Sequence, residues 1–257
     1  MIKVSHEIPK MFFEAHDLIN DYPYGLAHLL IEGGGHYDST YADFYKVKME
    51  EADFSILDNS CYELGYPIDS DILHALGEEY NPSHLVIPDV YQDMGGTMSS
   101  VRKYLEKYGA ASTPKFFAVV QGTTLKEYVE CFDYFCTENR IDIVGINFKT
   151  LSDGNGRKDF LEYLRRNSRL ENKKLHLLGC QNASEFLEYD RNVMDYIHSV
   201  DTSAPIVHGW NMNKFTKEPF SFEKPAELIA DNLDRDISEE ELKCITHNVK
   251  MFRSYIH

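Results

Sequence analysis

Three aspartates, a glutamine and an asparagine each follow a short apolar run in this sequence. Asp58 follows Phe54–Leu57, Asp89 follows Leu85–Pro88, Gln121 follows Phe116–Val120, Asn147 follows Ile143–Ile146, and Asp201 follows Ile197–Val200. Taken singly, such a residue caps a helix or makes a turn. Taken together, carboxylates gathered at strand ends repel one another unless a substrate, a proton or a metal relieves them. Three chemistries use such a set. A metal hydrolase draws on histidine ligands. His28, His176 and His198 fall within apolar runs, but no HxH or HxxxH pair stands in a liganding frame. A glycoside-type mechanism uses one carboxylate as nucleophile at an anomeric carbon and another as acid or base. A purine pocket uses a carboxylate to accept from a ring N–H and an exocyclic amine, a glutamine to face the carbonyl oxygen, and an aromatic ring to stack. The last two combine in one site.

The elements that must position these residues alternate in type. Strands are predicted at Lys3–Ile8, Leu26–Ile31, Phe54–Leu57, Leu85–Ile87, Phe116–Val120, Ile143–Ile146, Leu175–Leu178 and Ile197–Val200. Amphipathic patterns between them predict helices over Phe12–Asn20, Tyr41–Glu51, Ile68–Glu79, Thr97–Tyr108, Leu125–Asn139, Arg157–Asn167 and Ala183–Asp190, the third opened by Pro67. Strand and helix alternating about eight times is the pattern of a (β/α)8 TIM-like barrel. Its chemistry gathers at the C-terminal ends of the strands, where the polar residues above stand. An open doubly wound sheet is the alternative, but the glycines of Glu32–Thr40 do not make GxGxxG. From Pro225 onward the chain reads as a C-terminal helical extension. Ser238 and Glu241 form a capping box that opens a helix over Glu239–Tyr255. The whole, residues 1–257, is expected to be a single domain.

The 257 residues carry a formal net charge of -16, which repels nucleic-acid phosphates at long range unless a basic patch or a protein partner compensates. Candidates for such a patch are Lys149, Arg157, Lys158, Arg165, Arg166, Lys173, Lys174, Lys214 and Lys217; the plainer reading is a solvated helix face. No apolar run approaches the roughly 20 residues of a membrane span, and MIKVSHEIPK has no signal-peptide core. Five cysteines without a CxxC pair point to a reducing cytoplasm and away from a Cys-rich zinc site. No cofactor and no metal are expected.

The ordered string of strand-end residues resembles the tRNA-guanine transglycosylases and their short phage relatives that place 7-deazaguanines such as preQ0 in DNA. The family's D-S-G-G-[FY]-Q corresponds to Asp58-Asn59-Ser60-Cys61-Tyr62-Glu63, its second strand-end aspartate to Asp89, and its V-Q-G to Val120-Gln121-Gly122. Its Gly-Gly-Leu loop is matched loosely by Gly145-Ile146-Asn147-Phe148, its M-G-V-G strand end by Leu178-Gly179-Cys180, and its nucleophile segment by Val200-Asp201-Thr202-Ser203-Ala204-Pro205. The order agrees from Phe54 to Pro205. The family's zinc-binding cysteines, the arginine after its Pro-Thr and its tRNA-directed C-terminal parts are absent. The resemblance implies a double displacement with DNA guanine and a 7-deazaguanine base as partners. Asp201 would attack the sugar C1′, and Asp58 would move protons. Asp89 would accept from the base, Gln121 would donate to O6, and Tyr62 would stack. Gly122, Gly145, Asn147 and Phe148 would line the base or its 7-substituent. The target nucleotide must be flipped out or already single-stranded. Two alternatives remain: an N-glycosidase or base-exchange enzyme acting on free nucleosides or nucleotides, and a non-catalytic subunit that works beside a partner protein.

Overall fold

The computed structural model describes residues 1–110, 113–148, 156–170, 173–180, 183–216 and 224–256. Its strands are β1 (Lys3–His6), β2 (Tyr24–Leu26), β3 (Ile56–Asp58), β4 (His84–Val86), β5 (Lys115–Val120), β6 (Ile141–Asn147), β7 (Lys174–Leu178) and β8 (Ile197–Thr202). The eight strands follow the order β1-β8-β7-β6-β5-β4-β3-β2. The pairs β1–β8, β2–β3, β3–β4, β4–β5 and β5–β6 are parallel. This is the order of a (β/α)8 TIM-like barrel, the architecture expected from the alternating pattern. The helices are α1 (His16–Ile19), α2 (Ser39–Glu51), α3 (Cys61–Leu64), α4 (Ser70–Tyr80), α5 (Met94–Tyr108), α6 (Leu125–Thr137), α7 (Arg157–Arg166), α8 (Arg191–Met194), α9 (Ala204–Trp210) and the C-terminal α10 (Glu239–Ile256). Among the described residues no helix is long and apolar enough to cross a membrane.

Two compact units make up the chain: Tyr22–His176, and Met1–Asp21 with Leu177–His257. In the first, register fixes which side chains face inward. Tyr24 pairs with Ile56, Ile56 with His84, and Val86 with Phe117, so these residues share one face of the sheet. The His176 ring lies parallel to Tyr24 at 6.0 Å and meets Phe117 edge-on at 5.2 Å. Rings from β2, β5 and β7 touch although these strands are not neighbours, so that face curls inward around an aromatic core. The two-residue period then carries Asp58, two beyond Ile56, and Gln121, four beyond Phe117, onto the same inner face. His176, one of the strand-borne histidines, is thus a core ring.

Several boundaries differ from the sequence reading. The third helix opens at Ser70 rather than at Ile68, because the Asp69 carboxylate accepts from the Asp71 and Ile72 amides at 2.9 and 3.3 Å. The fourth opens at Met94, three residues earlier than expected, with Asp93 capping Gly96 at 2.9 Å. The strand expected at Leu26–Ile31 ends at Leu26 and becomes a 3₁₀ turn over Ala27–Leu29. Its His28 amide leaves the ladder to donate to Ser60 Oγ at 3.2 Å. Phe12–Asn20 begins as 3₁₀ from Lys10 and is α-helical over His16–Ile19 alone. Ala183–Asp190 is 3₁₀ over Ala183–Glu188. The Ser238–Glu241 capping box is present in both directions, at 2.7 and 3.3 Å.

In the second unit, β1 pairs with β8 so that Ser5 stands beside Asp201 on a buried polar face, and Val4 beside Val200 on the opposite one. α9 packs against α10 with no room to spare. A Cβ on Gly209 would lie 2.4 Å from Ile245 Cγ1 and 2.6 Å from its Cα. Asn248 of α10, fully buried, accepts from the Phe215 amide at 2.8 Å and donates to the Asn213 carbonyl at 2.9 Å. Gly209→Ala therefore forces the two helices apart and lowers stability by about 3 kcal/mol, read as a lower urea midpoint at unchanged slope. An unchanged midpoint would show that α9 and α10 are free to separate.

The end of β1 carries a second testable feature. His6 is wholly buried, its Nδ1 3.0 Å from both the Ile19 carbonyl and Asn20 Oδ1. Burial lowers its pKa from 6.5 to about 4, against the raising effect of the Asn20 bond; Arg253 lowers it further and Asp21 raises it. Below pH 6.5 the unfolded chain takes up this proton and the folded chain does not, so stability falls as pH drops and the loss is complete below about 4. The shift corresponds to roughly 3 kcal/mol. His6→Gln should flatten the pH dependence of the urea midpoint between pH 6.5 and 4 relative to wild type; parallel profiles would refute the assignment.

Candidate active site

Of the sequence-predicted residues in the Tyr22–His176 unit, Asp89, Gln121 and Asn147 are joined with Asn59 in one hydrogen-bonded cluster at the C-terminal ends of the strands. Asp89 is its centre. Only 3% exposed, it holds one carboxylate oxygen 2.8 Å from Asn59 Nδ2 and the other 2.5 Å from Gln121 Nε2. Burial raises the Asp89 carboxyl above the ordinary carboxylate value, and the Asn59 and Gln121 amides pull it back. The Asp89 backbone N–H is a third donor to the carboxylate and also lowers its pKa.

The amides are themselves oriented. Asn59 Oδ1 accepts from the Cys61 amide at 2.9 Å, and Asn59 Nδ2 also donates to the Ile87 carbonyl at 3.0 Å. Gln121 Oε1 accepts from the Gln92 amide at 3.0 Å, with Asn147 Nδ2 3.5 Å away. Cys61 Sγ reaches the Asp89 carbonyl at 3.5 Å. Burial, and then the charges of Asp89 and Asp58, push the Cys61 thiol up to about 12, so it stays protonated and unreactive at neutral pH.

Asp58 ends β3 and accepts from the Ser60 amide at 2.7 Å, an Asx turn that sets its carboxylate toward the inner face. It does not cap α4; Asp69 does that. Ser60 has φ 56°, a left-handed conformation that favours glycine, and its hydroxyl accepts the His28 amide. The backbone thus keeps a glycine-type turn here without a glycine. Tyr62 follows on α3, 47% exposed, and meets Phe148 edge to face at 5.8 Å. Gly122 has a packing reason: a Cβ there would lie 2.8 Å from Glu127 Cβ at the start of α6. Gly145, buried on β6, pairs with Val119.

In the other unit, Asp201 stands one residue before the end of β8, 3% exposed. The Gly179 amide donates to both its oxygens, at 3.1 and 3.2 Å. Thr202 Oγ1 donates to the Cys180 carbonyl and accepts from the Ala204 amide, both at 3.0 Å, so the turn after the strand is tied down.

The residues considered for a basic patch are mostly committed elsewhere. Arg157 is buried and donates to the Ile146 carbonyl at 3.1 Å. Arg165 and Arg166 pair with Glu162 at 2.9 and 3.5 Å. Lys173 caps the Glu138 and Ile141 carbonyls, and Lys174 joins Asp142 at 3.0 Å at the N-terminal end of β7. Lys214 is exposed. Lys149, Lys217, Gln181 and Asn182 lie outside the described residues.

Sequence reasoning missed Asn59 and Cys61 as supports of Asp89. The adjacency of Asn59 to a strand-end aspartate was the available signal. It also missed the Ser203–Lys224 contact described below.

Compared with known proteins, the chain matches no protein-family model and no curated protein. What stands is a TIM-barrel-like fold, an architecture used by many enzymes, with polar residues at the strand ends where such enzymes place their chemistry.

Proposed function

We propose that the protein is a base-exchanging transglycosylase that replaces guanine by a 7-deazaguanine of the preQ0 type in DNA, through a covalent aspartyl-glycosyl intermediate. The observation that carries this reading is the buried Asp89 carboxylate, held by two amide side chains, with Tyr62 and Phe148 offering a ring pair in the same unit. That set matches a guanine edge: a carboxylate for N1–H and the exocyclic amine, the second N–H of Gln121 for O6, and a ring for the base plane. Gly145, Asn147 and Phe148 border the 7-substituent.

In the proposed reaction Asp201 attacks C1′ as guanine leaves, and Asp58 protonates the departing base. The incoming deazaguanine gives a proton to Asp58 and displaces Asp201, so the first residue acts in both directions. The Gly179 N–H bonds fix the position of the Asp201 carboxylate. Exchange on free nucleotides is the second reading, favoured by the commitment of Arg165, Arg166, Lys173 and Lys174 to internal partners. The test is incubation with guanine-labelled DNA, tRNA and free nucleosides, each with and without preQ0. Release from DNA that depends on preQ0 supports the first reading. Release from free nucleosides alone overturns it.

A further inference from the structure

We propose that Lys224, seated on Ser203, recognises the phosphate of the nucleotide whose sugar Asp201 attacks, so that the substrate is a phosphorylated nucleotide unit and not a nucleoside. The inference rests on the reading of Asp201 as the sugar-directed residue. Lys224 Nζ donates to Ser203 Oγ at 2.7 Å. Ser203 lies two residues beyond Asp201, at most about 7 Å along the chain, a reach of the order of one sugar. Its position is set by Thr202, which bonds both the Cys180 carbonyl and the Ala204 amide.

Lys224 is held by a neutral oxygen, as Lys173 is by two carbonyls. The chain has 42 acidic residues against 26 lysines and arginines, so a carboxylate partner is easily found. Lys10, Lys46, Lys107, Lys174 and Lys243 each have one. Lys224 is half-buried, and among the described residues its partner is a neutral hydroxyl. An ammonium has three donors, and one is used. Because Ser203 Oγ accepts from the lysine, its O–H is left to donate. Two N–H groups and one O–H are then left beside this bond, with a net positive charge. That set suits a phosphate oxygen and has no counterpart in a nucleoside. It also supplies phosphate recognition without a basic stripe.

The test is calorimetric titration of the full chain with deoxyguanosine, deoxyguanosine 5′-monophosphate and a short single-stranded oligodeoxynucleotide holding one internal guanine. Wild type should bind the monophosphate about 10-fold more tightly than the nucleoside, since one charge-assisted contact is worth that much. Lys224→Met should erase this preference while nucleoside affinity and the thermal midpoint hold, and Ser203→Ala should reduce it in part. Weakening of the oligonucleotide as well assigns the site to a strand phosphate; weakening of the monophosphate alone assigns it to a free nucleotide. Equal affinity of wild type for nucleoside and monophosphate, or an undiminished preference in Lys224→Met, overturns the inference. Base exchange is assayed on the same preparations. A Lys224-dependent phosphate preference without exchange removes the transglycosylase reading and leaves the phosphate site standing.

Discussion

Asp201→Asn should lower guanine release from labelled substrate by at least about 10³-fold while leaving the fold intact. The carboxylate is the nucleophile of the proposed double displacement, and an amide of the same shape does not attack C1′. Gly179 N–H is shared between the two oxygens at 3.1 and 3.2 Å, and the asparagine keeps one oxygen to accept it. The stability cost is about 1 kcal/mol, the value of a charge-assisted bond exchanged for a neutral one. The measurement is preQ0-dependent release at saturating substrate, with a urea titration as the folding control. A variant that exchanges within tenfold of wild type would remove Asp201 from the chemistry.

Asp89→Asn should be the most damaging isosteric change in the Tyr22–His176 unit. Both carboxylate oxygens receive amide N–H groups, from Asn59 and Gln121. Neither amide can turn over to help. Asn59 Oδ1 is held by the Cys61 amide and Gln121 Oε1 by the Gln92 amide. An asparagine at position 89 therefore sets one NH2 group against another in a dry site, at about 2–4 kcal/mol. Base affinity falls with it, because the acceptor for N1–H and the exocyclic amine is lost. The pH dependence has a definite sign. Burial raises the folded carboxyl above its ordinary value, so the folded state holds this proton where the unfolded state has released it. The contribution of Asp89 to stability is greatest below the ordinary carboxylate pKa. It declines as pH rises toward the raised folded value. Urea midpoints of both proteins between pH 3 and 8 test this. A variant with the wild-type midpoint at neutral pH would mean the three side chains are not coupled.

Both predictions depend on residues whose placement at strand ends was legible before any coordinate. Asp58, Asp89, Gln121 and Asn147 each follow an apolar run, and the two-residue period explains why a polar residue there faces inward. The failures have two different causes. Helix α4 opens at an aspartate cap rather than at Pro67, and β2 stops at Leu26 because His28 bonds to Ser60, 32 residues later in the chain. The first depends on side-chain hydrogen bonds that periodicity does not encode; the second is a contact between distant segments.

The sequence by itself determined the alternation of elements, the parallel barrel order that follows from short strand–helix repeats, and the strand-end position of each acidic residue. These are consequences of local periodicity and of the chain's need to bury one face of every element. Tertiary structure alone decided which polar groups face one another. Asn59 and Gln121 converge on Asp89 from different strands, Ser60 takes a glycine's conformation because His28 supplies a donor, and Arg157 turns inward to a carbonyl instead of outward to solvent. In a low-dielectric interior every polar group needs a partner, and the partner comes from whichever strand the fold brings alongside.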